Sequence, residues 1–259
     1  MKSFTVLPLT FLLVSSSGTR SPKKAPSYNI TSCKKDSKDL NQCIANTLEA
    51  LRPKMAEGIP KLKIPPLEPF LVPEVTLNKT SDALDLQTTM KQLKITGTTN
   101  VKVSKLNVDL TDLVGSVSLA FADLNVTTLY VIDALFMKMV PMIGQGQFNG
   151  TLSNVRVDLA GKAELSPKND LGHSYLKIIQ LKIKGFIGDA RGHVVDTSGN
   201  PENVNITNAA IAFYEDYRRE VLNILTPVIE EFCESVVLNV VNQALSTVPF
   251  EDMFAEDSK

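Results

Sequence analysis

The sequence predicts an α+β protein in which a long, curved antiparallel β-sheet wraps around a long C-terminal α-helix, with a short N-terminal helix and an elongated internal hydrophobic tunnel. Residues 75–195 alternate apolar and polar side chains with period two, as strands with one buried face do. Residues 208–246 return apolar side chains to one broad face at helical spacing. Only this helix is long enough to cover so much one-sided strand. A curved sheet cannot follow a cylinder closely, which predicts the elongated apolar interior.

The first 18 residues have the layout of a secretory signal peptide. Lys2 precedes a mostly apolar run from Phe4 to Val14, and small residues follow up to Gly18. The run is far shorter than the ~20 residues that a membrane-spanning helix needs. We therefore expect cleavage near Gly18 and a secreted, extracellular product without stable membrane insertion. Residues 19–28 are predicted to form a flexible arm, and residues 29–259 a single domain.

Residues 39–52 carry apolar side chains at helical spacing and predict a short amphipathic helix. It should end near Pro53, because proline disfavours helical geometry in the residue before it. The next stretch, GIPKLKIPPLEPFLVP at 58–73, combines five prolines with apolar residues. It is predicted to be a stiff, extended strap whose apolar side chains point inward.

Two details are predicted within the strands. In VKVSKLNVDL, at 101–110, the apolar side chains change from odd to even positions, which indicates a β-bulge near Ser104 and Lys105. The glycines of IGQGQFNG, at 143–150, precede a strand pattern and are predicted to form a hairpin turn.

The C-terminal helix contains Pro227, which either bends it near residues 223–227 or divides it, with Thr226 as the cap of a second helix. These two possibilities stay open. Its polar side chains are predicted to lie opposite the packed face: Glu215, Arg219, Glu230, Glu234 and Asn242.

The three cysteines agree with export. Cys33 and Cys43 are close enough to form a disulfide in an oxidising compartment. Cys233 lies in an apolar helical pattern, where a free cysteine usually behaves as a small buried hydrophobic residue. Five sequons also mark candidate N-glycosylation sites. Their asparagines are Asn29, Asn78, Asn125, Asn149 and Asn205.

The sequence does not contain the motifs of metal, nucleotide or nucleophilic catalysis. His173 and His193 lie in polar, turn-like surroundings. The formal net charge is −1 and there is no tryptophan, so nucleic acid is not expected as a partner. We expect that the protein is not an enzyme and that it has no catalytic residue, no cofactor and no metal.

Four stretches resemble the arthropod takeout and juvenile hormone-binding protein family: the Cys33–Cys43 loop around DSKDLNQ, then LRPKMAEGIPKLKIPPLEPFLVPEV, GQGQFNGTLSNVRVDLAGKAEL and VPFEDMF. The resemblance spans essentially the whole mature chain. It implies a secreted carrier that encloses a hydrophobic ligand, such as a terpenoid hormone or a fatty-acid-like lipid. Hormone-binding members carry a second disulfide that Cys233 alone cannot form, so the chain looks more like the takeout branch.

The leading hypothesis is therefore a monomeric, non-catalytic carrier that buries a hydrophobic small molecule. The alternative is an extracellular signalling or interaction glycoprotein, read by an unknown receptor, whose tunnel is structural or permanently filled. Twelve residues are the candidates for the lining of the tunnel: Phe70, Val72, Phe121, Tyr130, Phe136, Phe148, Phe186, Phe213, Tyr217, Ile224, Val228 and Phe232.

Overall fold

The computed structural model describes residues 32–255. The predicted signal peptide, the predicted arm and the Asn29 sequon lie outside these residues. The helices are α1 (Leu40–Glu57), α2 (Pro201–Asp216), α3 (Arg218–Leu245) and α4 (Phe250–Met253), with a 3₁₀ turn at Pro60–Leu62. The strands are β1 (Cys33–Lys34), β2 (Phe70–Thr80), β3 (Leu84–Thr96), β4 (Val101–Asp109), β5 (Val114–Phe136), β6 (Val140–Leu165), β7 (Leu176–Asp196) and β8 (Phe254–Ala255).

Strands β2 to β7 form one antiparallel sheet around two very long strands. The order is β2-β3-β5-β6-β7, and β4 also pairs with β5. Strand β3 pairs with residues 125–136 of β5, and β4 pairs with residues 114–121, so the two shorter strands lie end to end along β5. The register between β4 and β5 shifts between Val103 and Lys105. This confirms the bulge predicted from the change of apolar parity.

The three longest strands change their inward face at one level of the sheet. Phe121 and Leu124 of β5 both pack into one apolar cluster, as do Leu152 and Val155 of β6 and Ile187 and Ala190 of β7. A spacing of three residues reverses the faces of a strand. Since all three strands reverse at the same row, the pairing register between them is kept.

The glycines of IGQGQFNG do not form a hairpin turn, so that prediction was wrong. Gly144, Gly146 and Gly150 lie in the middle of β6. The ring of Phe148 lies across Gly150 and Gly192 of the neighbouring strand, and a Cβ atom on Gly192 would be 2.7 Å from the Cε2 atom of Phe148. Glycine is needed here because a large ring and a neighbouring backbone approach closely, not because the chain turns.

Helix α1 continues through Pro53 to Glu57, so its predicted end was four residues too early. Pro53 has no N–H to donate to the carbonyl of Glu49, but Glu49 is exposed and water can solvate that carbonyl. The helix ends at Gly58, whose φ of 88° is readily adopted only by glycine. The strap that follows is extended only in part, because it contains the 3₁₀ turn and an Ile59–Ile64 bridge.

The C-terminal helical region is divided at Tyr217, not at Pro227. Pro227 lies inside α3, and the Thr226 hydroxyl does not cap a helix but donates to the carbonyl of Leu222 at 2.6 Å. Helix α2 begins at Pro201, well before the predicted start. The Asn200 side chain caps it by accepting from the Glu202 N–H at 2.9 Å, and proline is favoured at the first helical position.

The sheet wraps around α3, as predicted. Val221 and Val228 of this helix lie in one buried cluster with Leu84 of β3 and Phe136 of β5. Leu77 of β2 packs against the same cluster. The helix therefore contacts strands from one edge of the sheet to its centre, and further contacts run along β7 at the other edge.

One polar stripe of α3 binds the free edge of β7. Glu230 accepts from the N–H of Gly185 at 2.7 Å, and Glu234 accepts from the N–H of Ile183 at 2.9 Å. Four residues of helix advance about 6 Å and two residues of strand about 6.6 Å, so the two elements stay in step. Glu230 is buried.

The same stripe extends to both ends of the contact. Asn242 accepts from the N–H of Ile178 at 2.7 Å and donates to its carbonyl at 3.0 Å. Arg219 donates to the carbonyl of Ile187 at 2.9 Å and to that of Gly188. These side chains satisfy backbone groups that an edge strand leaves unpaired. The prediction that these residues lie opposite the packed face was wrong for Arg219, Glu230, Glu234 and Asn242, whereas Glu215 on α2 is exposed.

Candidate ligand-binding site

An apolar cavity of about 270 Å³ lies where the ends of β4 to β7 meet the C-terminal half of α3. The alternation along each strand turns every second side chain toward it, and most of these side chains are apolar. Its wall includes Leu106 and Val108 of β4, Val117 of β5, Leu159 of β6, Ile178 and Leu181 of β7, Val237, Leu238 and Val241 of α3, and Phe254. A space of this composition suits an aliphatic ligand.

The wall offers few polar groups. Asp109 is the only charged residue among the described residues that line the cavity. Its carboxylate accepts from the N–H groups of Asp112 at 3.1 Å and Thr111 at 2.8 Å, and these two hydrogen bonds lower its pKa. The carboxylate therefore accepts hydrogen bonds within the turn between β4 and β5 and stabilises that turn.

The two ends of the described chain meet beside the cavity. Strand β8 contains Phe254 and pairs in parallel with β1. Cys33 of β1 and Cys43 of α1 form the predicted disulfide. Helix α1 is also tied to β4, because Asn41 accepts from the N–H of Val108 at 2.9 Å. The disulfide thus joins two elements that each contact a residue of the wall, β1 through its pairing with Phe254 and α1 through the hydrogen bond to Val108.

None of the twelve residues predicted to line a tunnel belongs to the wall of this cavity. Phe136 and Val228 are buried in the cluster on the other half of α3, and Phe213 and Ile224 pack against them. The rings of Phe136 and Phe213 meet edge to face, with centroids 5.8 Å apart. Phe121 packs in the cluster near the level where the strands reverse their faces.

Five more of the twelve are half-buried: Phe70, Val72, Tyr130, Phe148 and Phe232. Tyr130 is opposite Gly146 in the ladder between β5 and β6. Burial raises the pKa of its hydroxyl, and the negative charge of Asp196 raises it further. For these residues, contact with a ligand stays a prediction.

The last two candidates are largely exposed. Phe186 lies on the solvent side of β7, with the guanidinium groups of Arg156 and Arg219 at 4.5 and 5.3 Å from its ring centroid. Tyr217 lies at the break between α2 and α3, where its ring stacks on that of Phe213. Both rings make these contacts outside the cavity, and for them, as for the other ten candidates, contact with a ligand stays a prediction.

Sequence reasoning favoured aromatic residues and missed the aliphatic wall. A signal was nevertheless present in the strand pattern. After the bulge in β4, Leu106 and Val108 occupy the inward positions, and both line the cavity. Following the parity of the short aliphatic residues through each bulge would have identified them.

A larger groove of about 530 Å³ lies against β2, β3 and β5. Asn78, Asp85, Gln87 and Asp133 are among the residues that line it. Amide and carboxylate groups of this kind do not suit an apolar ligand. The smaller cavity is therefore the better candidate for a hydrophobic molecule.

The histidines and the free cysteine of the described residues lie on different elements. Across residues 32–255, no three His, Cys, Asp or Glu side chains are placed to hold a metal ion. His173 lies in the loop between β6 and β7, and His193 is exposed on β7. Cys233 is unpaired and half-buried, and burial together with the charge of Glu230 raises the pKa of its thiol to about 11. Within the same residues, no helix is both long and apolar enough to cross a membrane.

A sequence model of the family described as "Haemolymph juvenile hormone binding protein (JHBP)" matches residues 9–255. Among solved structures, Takeout 1 of Epiphyas postvittana superimposes with a TM-score of 0.69 and 17% identity, over 88% of this chain and 99% of that chain. A lipopolysaccharide binding protein gives a TM-score of 0.34 and 14% identity, over 79% of this chain and 39% of that chain. No curated protein matches in a sequence search.

Proposed function

This chain belongs to the haemolymph juvenile hormone binding protein family, and we propose that it is a secreted, non-catalytic carrier whose interior binds a hydrophobic small molecule, either a terpenoid or a fatty-acid-like lipid. The aliphatic cavity between the β4–β7 ends and α3 is the observation that supports this proposal most directly. The Cys33–Cys43 disulfide supports secretion, because such bonds persist in oxidising compartments. Residues 29–259 form the carrier domain in this proposal.

Binding in this cavity is driven by removal of apolar surface from water, at about 25 cal/mol per Å². Each buried methylene group contributes about 0.8 kcal/mol, or roughly a fourfold gain in affinity. A short alkyl or isoprenoid chain therefore suits the cavity of about 270 Å³.

The test uses delipidated protein and a series of saturated fatty acids from about six to about eighteen carbons, with farnesol as the terpenoid. Titration calorimetry should show affinity rising about fourfold per carbon until the available space is filled. A steep rise followed by a plateau supports burial in a space of fixed length. Failure to bind any member of the series contradicts the carrier proposal.

A second experiment, on protein purified from its native source, distinguishes a carrier from an interaction glycoprotein whose interior is permanently filled. Mass spectrometry identifies the co-purified lipid, and incubation with an isotope-labelled copy of that lipid measures exchange. Exchange within hours supports transport. A lipid that leaves only on unfolding supports a structural role.

A further inference from the structure

Four apolar side chains lie on the outer face of the central strands, where they contact solvent. Leu129, Val131, Ile143 and Val195 are between 42% and 54% exposed. Leu129 and Val195 lie on either side of Gln147 in the same row of the sheet. Val131 lies in the next row of this face, opposite Gln145, and Ile143 lies in the row after it, opposite Asp133. The four residues, called the outer patch below, thus lie across three successive rows of the outer face. Exposed apolar patches on a sheet favour association with other molecules.

Two sequons border this outer patch. Asn149 is two residues from Gln147 on β6, and it is therefore a diagonal neighbour of both Leu129 and Val195, at about 7–8 Å. Its side chain is exposed on the same face of the sheet. A sugar attached at Asn149 starts beside the patch.

The second sequon is interleaved with the first. Asn125 is opposite Thr151, and Thr127 is opposite Asn149, so each acceptor asparagine faces the threonine of the other sequon. The Thr151 hydroxyl donates to the side-chain oxygen of Asn125 at 2.7 Å. Asn125 is also exposed. Two attachment points therefore stand together on one border of the outer patch.

We propose that N-linked glycans at Asn125 and Asn149 cover the outer patch and keep the protein monomeric. The first sugars of a glycan extend farther than 8 Å, and their hydroxyl groups stay hydrated, so they occupy the space above Leu129 and Val195 that a second molecule would need. The apolar residues are present on this outer face because residues such as valine and isoleucine favour strands. The inference rests on the proposed secretion, because N-glycans are added in the secretory pathway.

The test expresses the full chain in a eukaryotic secretory host and maps glycan occupancy by mass spectrometry. Light scattering then compares the wild-type protein with the double variant Asn125→Gln/Asn149→Gln. We expect a glycosylated wild-type monomer and an association constant at least tenfold higher for the double variant. Asn205→Gln is the matched control, because it removes an exposed sequon on α2.

Adding Leu129→Thr and Val131→Thr to the double variant should restore the monomer, since threonine suits a strand and is polar. Thermal unfolding of each variant shows whether it is folded. A folded double variant that stays as monomeric as the wild type overturns the proposal. So does a secreted protein with Asn205 occupied and both Asn125 and Asn149 unmodified, a result that leaves the proposed secretion intact. A protein retained in the cell without any glycan contradicts both.

Discussion

Gly115 gives a direct way to fill the candidate cavity. It lies on β5 and forms part of the wall. A Cβ atom added there would be 3.6 Å from the carbonyl oxygen of Asn107 and 3.7 Å from the Cγ2 atom of Val108, which are ordinary contact distances. The substitution Gly115→Leu therefore places a side chain in the cavity without a clash at its base.

The expected loss of affinity follows from the volume that leucine takes. Its four side-chain carbons displace about four methylene groups of a ligand, each worth about 0.8 kcal/mol. The total is about 3 kcal/mol, or roughly a hundredfold weaker binding. The free energy of unfolding should not fall, since glycine is unfavourable inside a strand by about 0.5–1 kcal/mol and the new side chain is buried.

Titration calorimetry with the tightest-binding fatty acid measures the change, and urea unfolding measures stability. Ala160→Leu is the control, because Ala160 is exposed and pairs with Ser116 at the next position along β5. It should leave the affinity unchanged. If Gly115→Leu is stable and binds as tightly as the wild type, the ligand is not held in this cavity.

Three further predictions concern the structure around α3 and β6. Glu230→Ala leaves the N–H of half-buried Gly185 without its acceptor and should lower the free energy of unfolding in urea by about 2–3 kcal/mol, whereas Glu230→Gln keeps an acceptor and should lose less than half of this. The neighbouring exposed Glu231→Ala should cost less than about 1 kcal/mol, and equal losses at both positions would refute the argument. The Cys233 thiol, with its pKa of about 11, should react with iodoacetamide at pH 8 about a hundredfold more slowly in the folded than in the unfolded protein, and equal rates contradict its burial. Gly146→Ala should lower the melting temperature, since its Cβ would overlap the backbone carbonyl of the adjacent strand, and an unchanged value contradicts that close approach.

The sheet could be predicted from the sequence because a strand with one buried face has a strict period-two pattern of apolar residues. Every second residue is apolar, and a single bulge moves the apolar residues from odd to even positions, or the reverse, from that point on. The change of parity in residues 101–110 located the bulge between Val103 and Lys105 for this reason. The wrapping around α3 could be predicted because only this helix is long enough to cover the apolar faces of so many strand residues.

The polar stripe of α3 could not be interpreted in the same way. Helical periodicity shows that Glu230, Glu234 and Asn242 share a region of the surface, but it does not show what that region faces. In this fold it faces the open edge of β7, whose backbone N–H groups have no signature in the sequence. In addition, no residue in the helical pattern predicts the break between α2 and α3 at Tyr217.

The candidate cavity was missed for a related reason. Aromatic residues such as Phe136 are large, and a large side chain inside a well-packed core fills space more often than it borders it. Cavities form where short aliphatic side chains from several elements meet without filling the centre, as Leu106, Val117 and Val241 do. Such a meeting depends on the relative positions of four strands and a helix, and a single sequence gives the faces of these elements but not the distances between them.

The hydrogen bonds along β7 explain how such a distance is kept. Apolar walls gain contacts when they approach each other, so a cavity bordered only by aliphatic groups tends to shrink by relaxation of its surroundings. Here Ile178 borders the cavity with its side chain, while its backbone is bound at both its N–H and its carbonyl by Asn242 of α3. Movement of the helix into the space would lengthen these bonds and those of Glu234, which are directional and short. The polar stripe therefore holds α3 at a fixed distance from the strand ends, and the apolar residues next to it on the helix can border a ligand site.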